Sequence, residues 1–329
     1  MNRRVYIRAD GGFDIGLGHV VRCISLAHML NNDFVINFFA LEIPDSLKSE
    51  ITHNGWDVTE IAQESDFLKF LKGKEIVVLD GYQFDSDYQK QIKSTGCKLI
   101  CIDDFHDQHF YADIVINHAP GVTKEDYKGE SYTRYLLGPD YALLRPEFLD
   151  SKPKEKRNSY EIKKLFTCFG GSDSKNLTAK VLSWLPSNVY TITVVLGNAY
   201  NHYDSLSKVI KERQDLEIFV KNSLSAKEMR NELEQADLAI VPASGILFEV
   251  LSIGLTVMSG YYTDNQMAIY KGFLEEGVII DAKSFSEKSL NEAFSKLGSL
   301  DLGAIVNKQK KLIDSDVKNR MNNIFSELC

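Results

Sequence analysis

Short apolar runs alternate with amphipathic stretches along most of the 329-residue chain. In the first half, β-branched and aliphatic runs at 5–9, 34–40, 75–79, 98–102 and 114–117 predict strands, and stretches at 19–31, 45–54 and 87–95 carry helical periodicity. Near-continuous apolar strands separated by helices indicate a parallel sheet covered on both faces. The second half repeats the theme. It predicts strands at 164–169, 190–196, 217–220, 238–242, 256–259 and 278–280, with helices at 175–185, 202–213, 225–235, 245–253 and 266–275. The tail, 305–328, reads as one or two further helices. Between the halves, Ser151-Lys152-Pro153-Lys154-Glu155-Lys156-Arg157-Asn158 carries no apolar residue and reads as a linker. The expected organisation is therefore α/β, with two Rossmann-like parallel-sheet domains over 1–152 and 160–329 that face an inter-domain cleft.

Composition narrows the function classes. A hydrophobic content of 44% and a charged content of 26% suit an ordinary globular protein. The net charge of −8, with no basic tract to offset it, argues against nucleic acid as a partner. No apolar stretch approaches membrane-spanning length, and no apolar signal region follows Met1-Asn2-Arg3-Arg4-Val5, so a cytoplasmic location without membrane insertion is expected. Cys23, Cys97, Cys101, Cys168 and Cys329 lack metal-motif spacing and read as reduced thiols.

The most informative loop is Arg8-Ala9-Asp10-Gly11-Gly12-Phe13-Asp14-Ile15-Gly16-Leu17-Gly18-His19, which joins the first strand to an apolar helix. Backbone N–H groups and positive dipole at such a helix start can meet a phosphate or a developing negative charge. An imidazole ordinarily titrates near about pH 6.5, so His19 can act as a neutral base. It can also be a simple capping or surface residue, and position alone leaves both readings open. No third glycine completes a dinucleotide fingerprint after Gly16 and Gly18. Asp14, Gly16, Gly18 and Arg22 are candidate substrate contacts. Arg22, one turn into the helix, either reaches an anion at the helix start or pairs with a carboxylate such as Asp10 or Asp14.

Three helix starts in the second half share a nucleotide-like character. Gly170, Gly171 and Ser172 follow a strand and offer a phosphate an unobstructed backbone, although Ser172 or Asp173 can equally cap the next helix. Ser244 and Gly245 open another helix, with Glu249 one turn in, placed either to hold a ribose or as a surface glutamate. Asn265, beside Gln266, is expected to cap a third. Together they suggest a nucleoside diphosphate site. Asp103-Asp104-Phe105-His106-Asp107-Gln108-His109 has metal-ligand residue types without metal-ligand geometry, so no metal and no cofactor are expected.

Arg8-Ala9-Asp10 with Ile15-Gly16-Leu17-Gly18-His19-Val20-Val21-Arg22-Cys23 closely resembles the opening motif of the UDP-2,4-diacetamido-2,4,6-trideoxy-β-L-altropyranose hydrolase family of pseudaminic acid biosynthesis. Later segments resemble it in the same order: Leu79-Asp80-Gly81-Tyr82, Ile102-Asp103-Asp104, Ile116-Asn117, and Tyr141 through Phe148. Gly170 through Leu177, Ala243-Ser244 with Glu249, and Asn265-Gln266 continue the series. The resemblance implies a GT-B-like architecture and metal-independent, inverting hydrolysis of a UDP-sugar. It implies that His19 is the catalytic base, with Tyr82 orienting the water, and it adds Asn117 and Gln266 to the substrate contacts. The expected partner is a UDP-sugar, and the expected state is a monomer or weak homo-oligomer. Asp173-Ser174 departs from the threonine-aspartate pair of that motif, and Ser244-Gly245-Ile246-Leu247 is less polar than in some relatives. A glycosyltransferase and a non-catalytic nucleotide-sugar-binding protein are the competing readings.

Overall fold

The run Val5-Tyr6-Ile7-Arg8-Ala9 is buried because it lies on an interior strand of a parallel sheet. The computed structural model describes residues 3–12, 15–30, 34–149, 162–187, 191–313 and 316–328. Asp14, the linker at 151–158 and the expected domain limits 152 and 160 lie outside the described residues. The chain divides into two units, Met1–Pro146 with Asp316–Cys329, and Glu147–Ser315.

The first unit begins with β1 (Arg3–Ala9), α1 (Gly18–Met29), β2 (Phe34–Ala40), α2 (Asp45–His53), β3 (Asp57–Glu60) and α3 (Glu64–Phe70). It continues with β4 (Ile76–Asp80), α4 (Ser86–Ser94), β5 (Lys98–Ile102), β6 (His109–Phe110), β7 (Ile114–Asn117), β8 (Lys128–Gly129) and β9 (Arg134–Leu137). Seven strands form a sheet in the order β3-β2-β1-β4-β5-β7-β9, with every pair parallel. The order reverses direction between β1 and β4, and an open α/β sheet gathers its ligands outside the carboxyl ends of the strands at such a switch. The sequence pattern does not anticipate β3 or β9. Both are sheet edges with half-exposed, partly charged residues, so neither carries an apolar run.

In the second unit, α5 (Pro146–Leu149) spans the division, followed by β10 (Lys164–Thr167), α6 (Leu177–Trp184), β11 (Thr191–Leu196), α7 (Tyr203–Glu212), β12 (Glu217–Asn222) and α8 (Ala226–Gln235). Then come β13 (Leu238–Pro242), α9 (Gly245–Ser252), β14 (Val257–Gly260), α10 (Met267–Glu275), β15 (Ile280–Lys283), α11 (Glu287–Lys296) and α12 (Leu302–Leu312). Its six parallel strands run β12-β11-β10-β13-β14-β15, switching direction between β10 and β13. Phe169, Leu182, Ile240, Met258 and Phe285 belong to its core.

The final helix, α13 (Val317–Glu327), departs from the expected grouping of 160–329 as one domain. It packs on the first unit: Phe325 meets Phe34 at 6.2 Å between ring centroids, and Arg134 pairs with Glu327 at 2.8 Å. Its buried face of Val317, Met321, Ile324 and Phe325 fits the apolar surface beside α1 and β2, which decides its allegiance. No helix of the described residues is long and apolar enough to cross a membrane.

Candidate active site

Helix α1 begins at Gly18, with Leu17 at the cap position and no side-chain cap, so His19 does not cap the helix. Gly16 takes a left-handed φ of 81° and exchanges two backbone hydrogen bonds with Gly12, a turn that a Cβ would strain. This turn delivers His19 to the carboxyl end of β4. There its ring is 6% exposed, and Nδ1 lies 2.6 Å from Asp80 Oδ1. The surface and capping readings of His19 are thereby set aside.

Asp80 ends β4 and is fully buried. Its oxygens accept hydrogen bonds from Arg22 Nε and Nη2, both at 2.6 Å, and from the Cys23 thiol at 3.5 Å. Burial alone would raise the Asp80 carboxyl, but the Arg22 charge and His19 override it and hold the carboxyl well below the usual range. An ionised carboxylate only accepts, so the short contact requires a proton on His19 Nδ1. Nε2 then keeps the lone pair, in the arrangement by which a carboxylate orients a general base. Arg22 Nη2 also lies 3.3 Å from Nδ1, a donor–donor approach that the shared carboxylate offsets.

Arg22 is not available to an anion in this arrangement. Its Nη1 donates to Asp104 at 2.8 Å while the other nitrogens hold Asp80. It pairs with carboxylates, here with Asp80 and Asp104, while Asp10 is held by Arg8 and Asp14 lies outside the described residues. Asp10 takes the buried Arg8 guanidinium at 2.6 Å and 2.7 Å, and Arg8 also reaches Glu64 at 2.5 Å. Tyr82 donates its O–H to Asp104 at 2.8 Å, and its half-exposed ring stands edge-on to His19 at 4.7 Å between centroids. Its phenolic oxygen keeps lone pairs that can accept from a water. Burial, reinforced by the Arg22 charge, pushes the neighbouring His118 imidazole down to about 4, so it adds no charge near neutral pH.

The other first-unit candidates are placed differently. Asn117 ends β7 fully buried, with Nδ2 donating to Tyr127 O–H at 2.9 Å and Oδ1 accepting from Ala119 N–H at 2.9 Å. Its amide braces its own domain, because a buried amide must satisfy both ends. Asp103 accepts from Tyr127 and the His106 N–H, and His109 pairs with Glu130. Among the described residues no group of three or more His, Cys, Asp or Glu side chains could hold a metal ion. Cys23, Cys97, Cys101 and Cys168 are buried thiols.

In the second unit, the three candidate loops follow the carboxyl ends of the adjacent strands β10, β13 and β14. Tyr262 O–H donates to Phe169 O at 3.2 Å, and Lys175 Nζ donates to Tyr262 O, so the first and third loops are joined. Gly170 has a left-handed φ of 83°, and Gly171 packs so close to Gly197 that a Cβ on Gly197 would fall 2.4 Å from its backbone. The start of α6 is occupied from within: Asp173 accepts from the N–H groups of Leu177 at 2.7 Å and Thr178 at 2.8 Å. Capping by Asp173 therefore wins over an open phosphate seat at α6, while Ser172 makes no such cap. Helix α9 differs, since Ser244 makes no side-chain cap there and the first turn has no acid. A Cβ at Gly245 would meet nothing within 4 Å, so the space above this helix start is open. Glu249 is buried at 6% exposure, which removes the surface-glutamate reading. Asn265 does not cap α10: it sits inside a 3-10 turn, Asp264–Gln266, and Gln266 holds the cap position with no side-chain cap. Gln266 is buried, and its Oε1 accepts from Tyr262 N–H at 3.0 Å.

The sequence reading quotes Asp80 and Asp104 within motifs but does not single them out as the partners of His19, Arg22 and Tyr82. An acid closing an otherwise apolar strand, Ile76-Val77-Val78-Leu79-Asp80, is the signal that could have singled out the first.

No family model matches the chain. It is 27% identical over 287 residues to the UDP-2,4-diacetamido-2,4,6-trideoxy-β-L-altropyranose hydrolase of Campylobacter jejuni, covering 85% of this chain and 99% of that protein. A spore coat polysaccharide biosynthesis protein of Bacillus subtilis is 28% identical over 84% of this chain and 83% of its own. An uncharacterized protein of Methanocaldococcus jannaschii is 32% identical over 85% of this chain, a match that spans 62% of the archaeal protein's length. Among solved structures, MurG of Acinetobacter baumannii matches at a TM-score of 0.69 with 14% identity, covering 99% of both chains. HepE of Anabaena, solved with UDP, matches at a TM-score of 0.64 with 11% identity, covering 99% of this chain and 98% of its own. The fold is therefore GT-B-like, two parallel-sheet α/β units. Over most of its length the chain is similar in sequence to the UDP-2,4-diacetamido-2,4,6-trideoxy-β-L-altropyranose hydrolase and to the spore coat polysaccharide biosynthesis protein.

Proposed function

We propose that this protein is a UDP-sugar hydrolase that cleaves the bond between the anomeric carbon and UDP with inversion, using water. The observation that carries the reading is the buried Asp80–His19 pair beside Tyr82 at the topological switch of the first sheet. His19 Nε2 takes a proton from water while the water oxygen bonds to C1. The C1–O bond to the β-phosphate breaks, and its electron pair leaves with UDP. Asp80 stabilises the imidazolium that forms, and Tyr82 accepts a hydrogen bond from the attacking water. The leaving diphosphate is assigned to the open start of α9, at Ser244 and Gly245, with the Gly170–Gly171–Ser172 turn beside it and Glu249 on the ribose. The proposed sugar is a diacetamido-trideoxy hexose of nonulosonic (pseudaminic) acid biosynthesis, following the name of the Campylobacter relative.

A glycosyltransferase is the second reading, favoured by the GT-B-like fold shared with MurG. Incubation with the UDP-diacetamido sugar in ¹⁸O-water separates the two. The hydrolase reading expects label at C1 of the free sugar with no added acceptor, and full turnover in EDTA. Turnover that depends on an added sugar hydroxyl would instead establish the transferase.

A further inference from the structure

A phenol can meet a water in two opposite ways, because its hydroxyl both donates and accepts. Whatever claims the single proton of Tyr82 therefore decides which way it acts, and that group is Asp104. The Tyr82 O–H donates to Asp104 Oδ2 at 2.8 Å, while Oδ1 of the same carboxylate accepts from Arg22 Nη1 at 2.8 Å. Asp104 is buried, at 8% exposure. Burial would raise its carboxyl, but the Arg22 charge outweighs that and holds the carboxyl below the usual range. Near neutral pH Asp104 is thus ionised and can only accept. With its proton committed there, the Tyr82 oxygen has only acceptance to offer a water.

The loop that carries Asp104 is held at several points. It follows β5, and the Asp103 N–H donates to Ile116 O at 2.9 Å, which ties the loop to β7. The Asp103 carboxylate accepts from the His106 N–H at 2.7 Å and from Tyr127 O–H at 2.9 Å. These bonds close a turn in which His106 takes a left-handed φ of 48°, a conformation that persists in a non-glycine residue where its surroundings enforce it. Arg22 sets the spacing between the two polar arms of the site. The guanidinium that holds Asp104 also holds Asp80, the partner of His19, and a planar fork fixes both carboxylates in one frame. We propose that Asp104 is a positioning residue, which by taking the Tyr82 proton compels Tyr82 to accept from the attacking water. One water hydrogen then passes to His19 Nε2, and the other points at Tyr82 and stays on the product hydroxyl. The lone pair left over forms the bond to C1. The proposal rests on the UDP-sugar hydrolase reading and adds what orients its water.

Asp104→Asn tests this by reversing the polarity of Tyr82 at nearly constant shape. Arg22 offers no acceptor, so the amide oxygen must stay with Arg22 Nη1 and the NH₂ must face Tyr82. The phenol then accepts from the amide and donates to the water, engaging the lone pair that attack requires. In UDP release from the UDP-diacetamido sugar, kcat should fall by roughly tenfold or more, while KM and the UDP affinity hold within about twofold. In a Tyr82→Phe background the same substitution should cost less than about twofold, because no phenol is left to position. Asp104→Glu keeps the charge that Arg22 needs and displaces the acceptor by one methylene. It should show the same non-additivity with Tyr82→Phe, and it carries the test if the amide variant does not fold. An unchanged kcat, an equal fold-loss in both backgrounds or a loss confined to KM would overturn the proposal and leave the hydrolase reading standing. A wild type that releases no UDP would overturn both.

Discussion

His19 was legible in the sequence because glycines and an apolar helix frame it within a dozen residues. Its partner was not, since Asp80 lies 61 positions away and becomes adjacent only when β4 pairs with β1. The same distance hid which carboxylates Arg22 pairs with. Asp10 is near it in sequence, but the buried Arg8 claims that carboxylate, and Arg22 turns to Asp80 and Asp104. A buried ion needs its counter-ion in place, so the network is settled jointly. His19→Ala should lose most UDP release while retaining UDP affinity by calorimetry. Unchanged turnover would remove His19 from the mechanism. Asp80→Asn removes the charge that orients and stabilises the imidazole, and turnover should fall by roughly 100-fold or more with UDP affinity intact. A fall matched by an equal loss of UDP binding would make Asp80 merely structural.

At the scale of elements, the apolar periodicity located most strands and helices, and it failed at the edges β3 and β9 for want of a buried face. Helix starts were harder to read. Small residues precede α6 and α9 alike, yet Asp173 closes the first and nothing acidic closes the second. Asp173 and Asn176 reach these positions through left-handed backbone, with φ of 44° and 51°, which Asp and Asn tolerate better than most residues. Local spacing does not reveal such a turn. Asp173→Ala should cost about 1 kcal/mol in urea unfolding through loss of the cap. Gly245→Asp places a carboxylate in open space at the start of α9. It should leave the melting temperature unchanged and weaken UDP binding by about tenfold or more in calorimetry. Unaltered UDP affinity would move the diphosphate away from α9.

For the whole molecule, the expected two-part organisation meets one departure: α13 returns to the first unit, where Phe325 seats on Phe34 and Glu327 on Arg134. The buried charges also give stability a pH dependence. Asp80 and Asp104 are both held below the ordinary carboxylate range, against burial, chiefly by Arg22. Their contribution is therefore complete above the ordinary value of about 3.9 and drains away as pH falls through the lower folded values. Urea midpoints should drop as the pH is lowered from about 4 downward, and Asp104→Asn should flatten that drop. An unchanged slope in the variant would mean other carboxylates dominate the acid limb.

The sequence by itself determined the parallel α/β layers, the two-part plan and the place of His19, because apolar period and glycine spacing are local properties of the chain. Only the tertiary structure decided that Asp80 holds His19, that Arg22 bridges Asp80 and Asp104, and that Asp173 closes α6 while α9 stays open. Each of these depends on which distant polar group satisfies another once water is excluded. Pairing of that kind is set by strand order and not by neighbours along the chain.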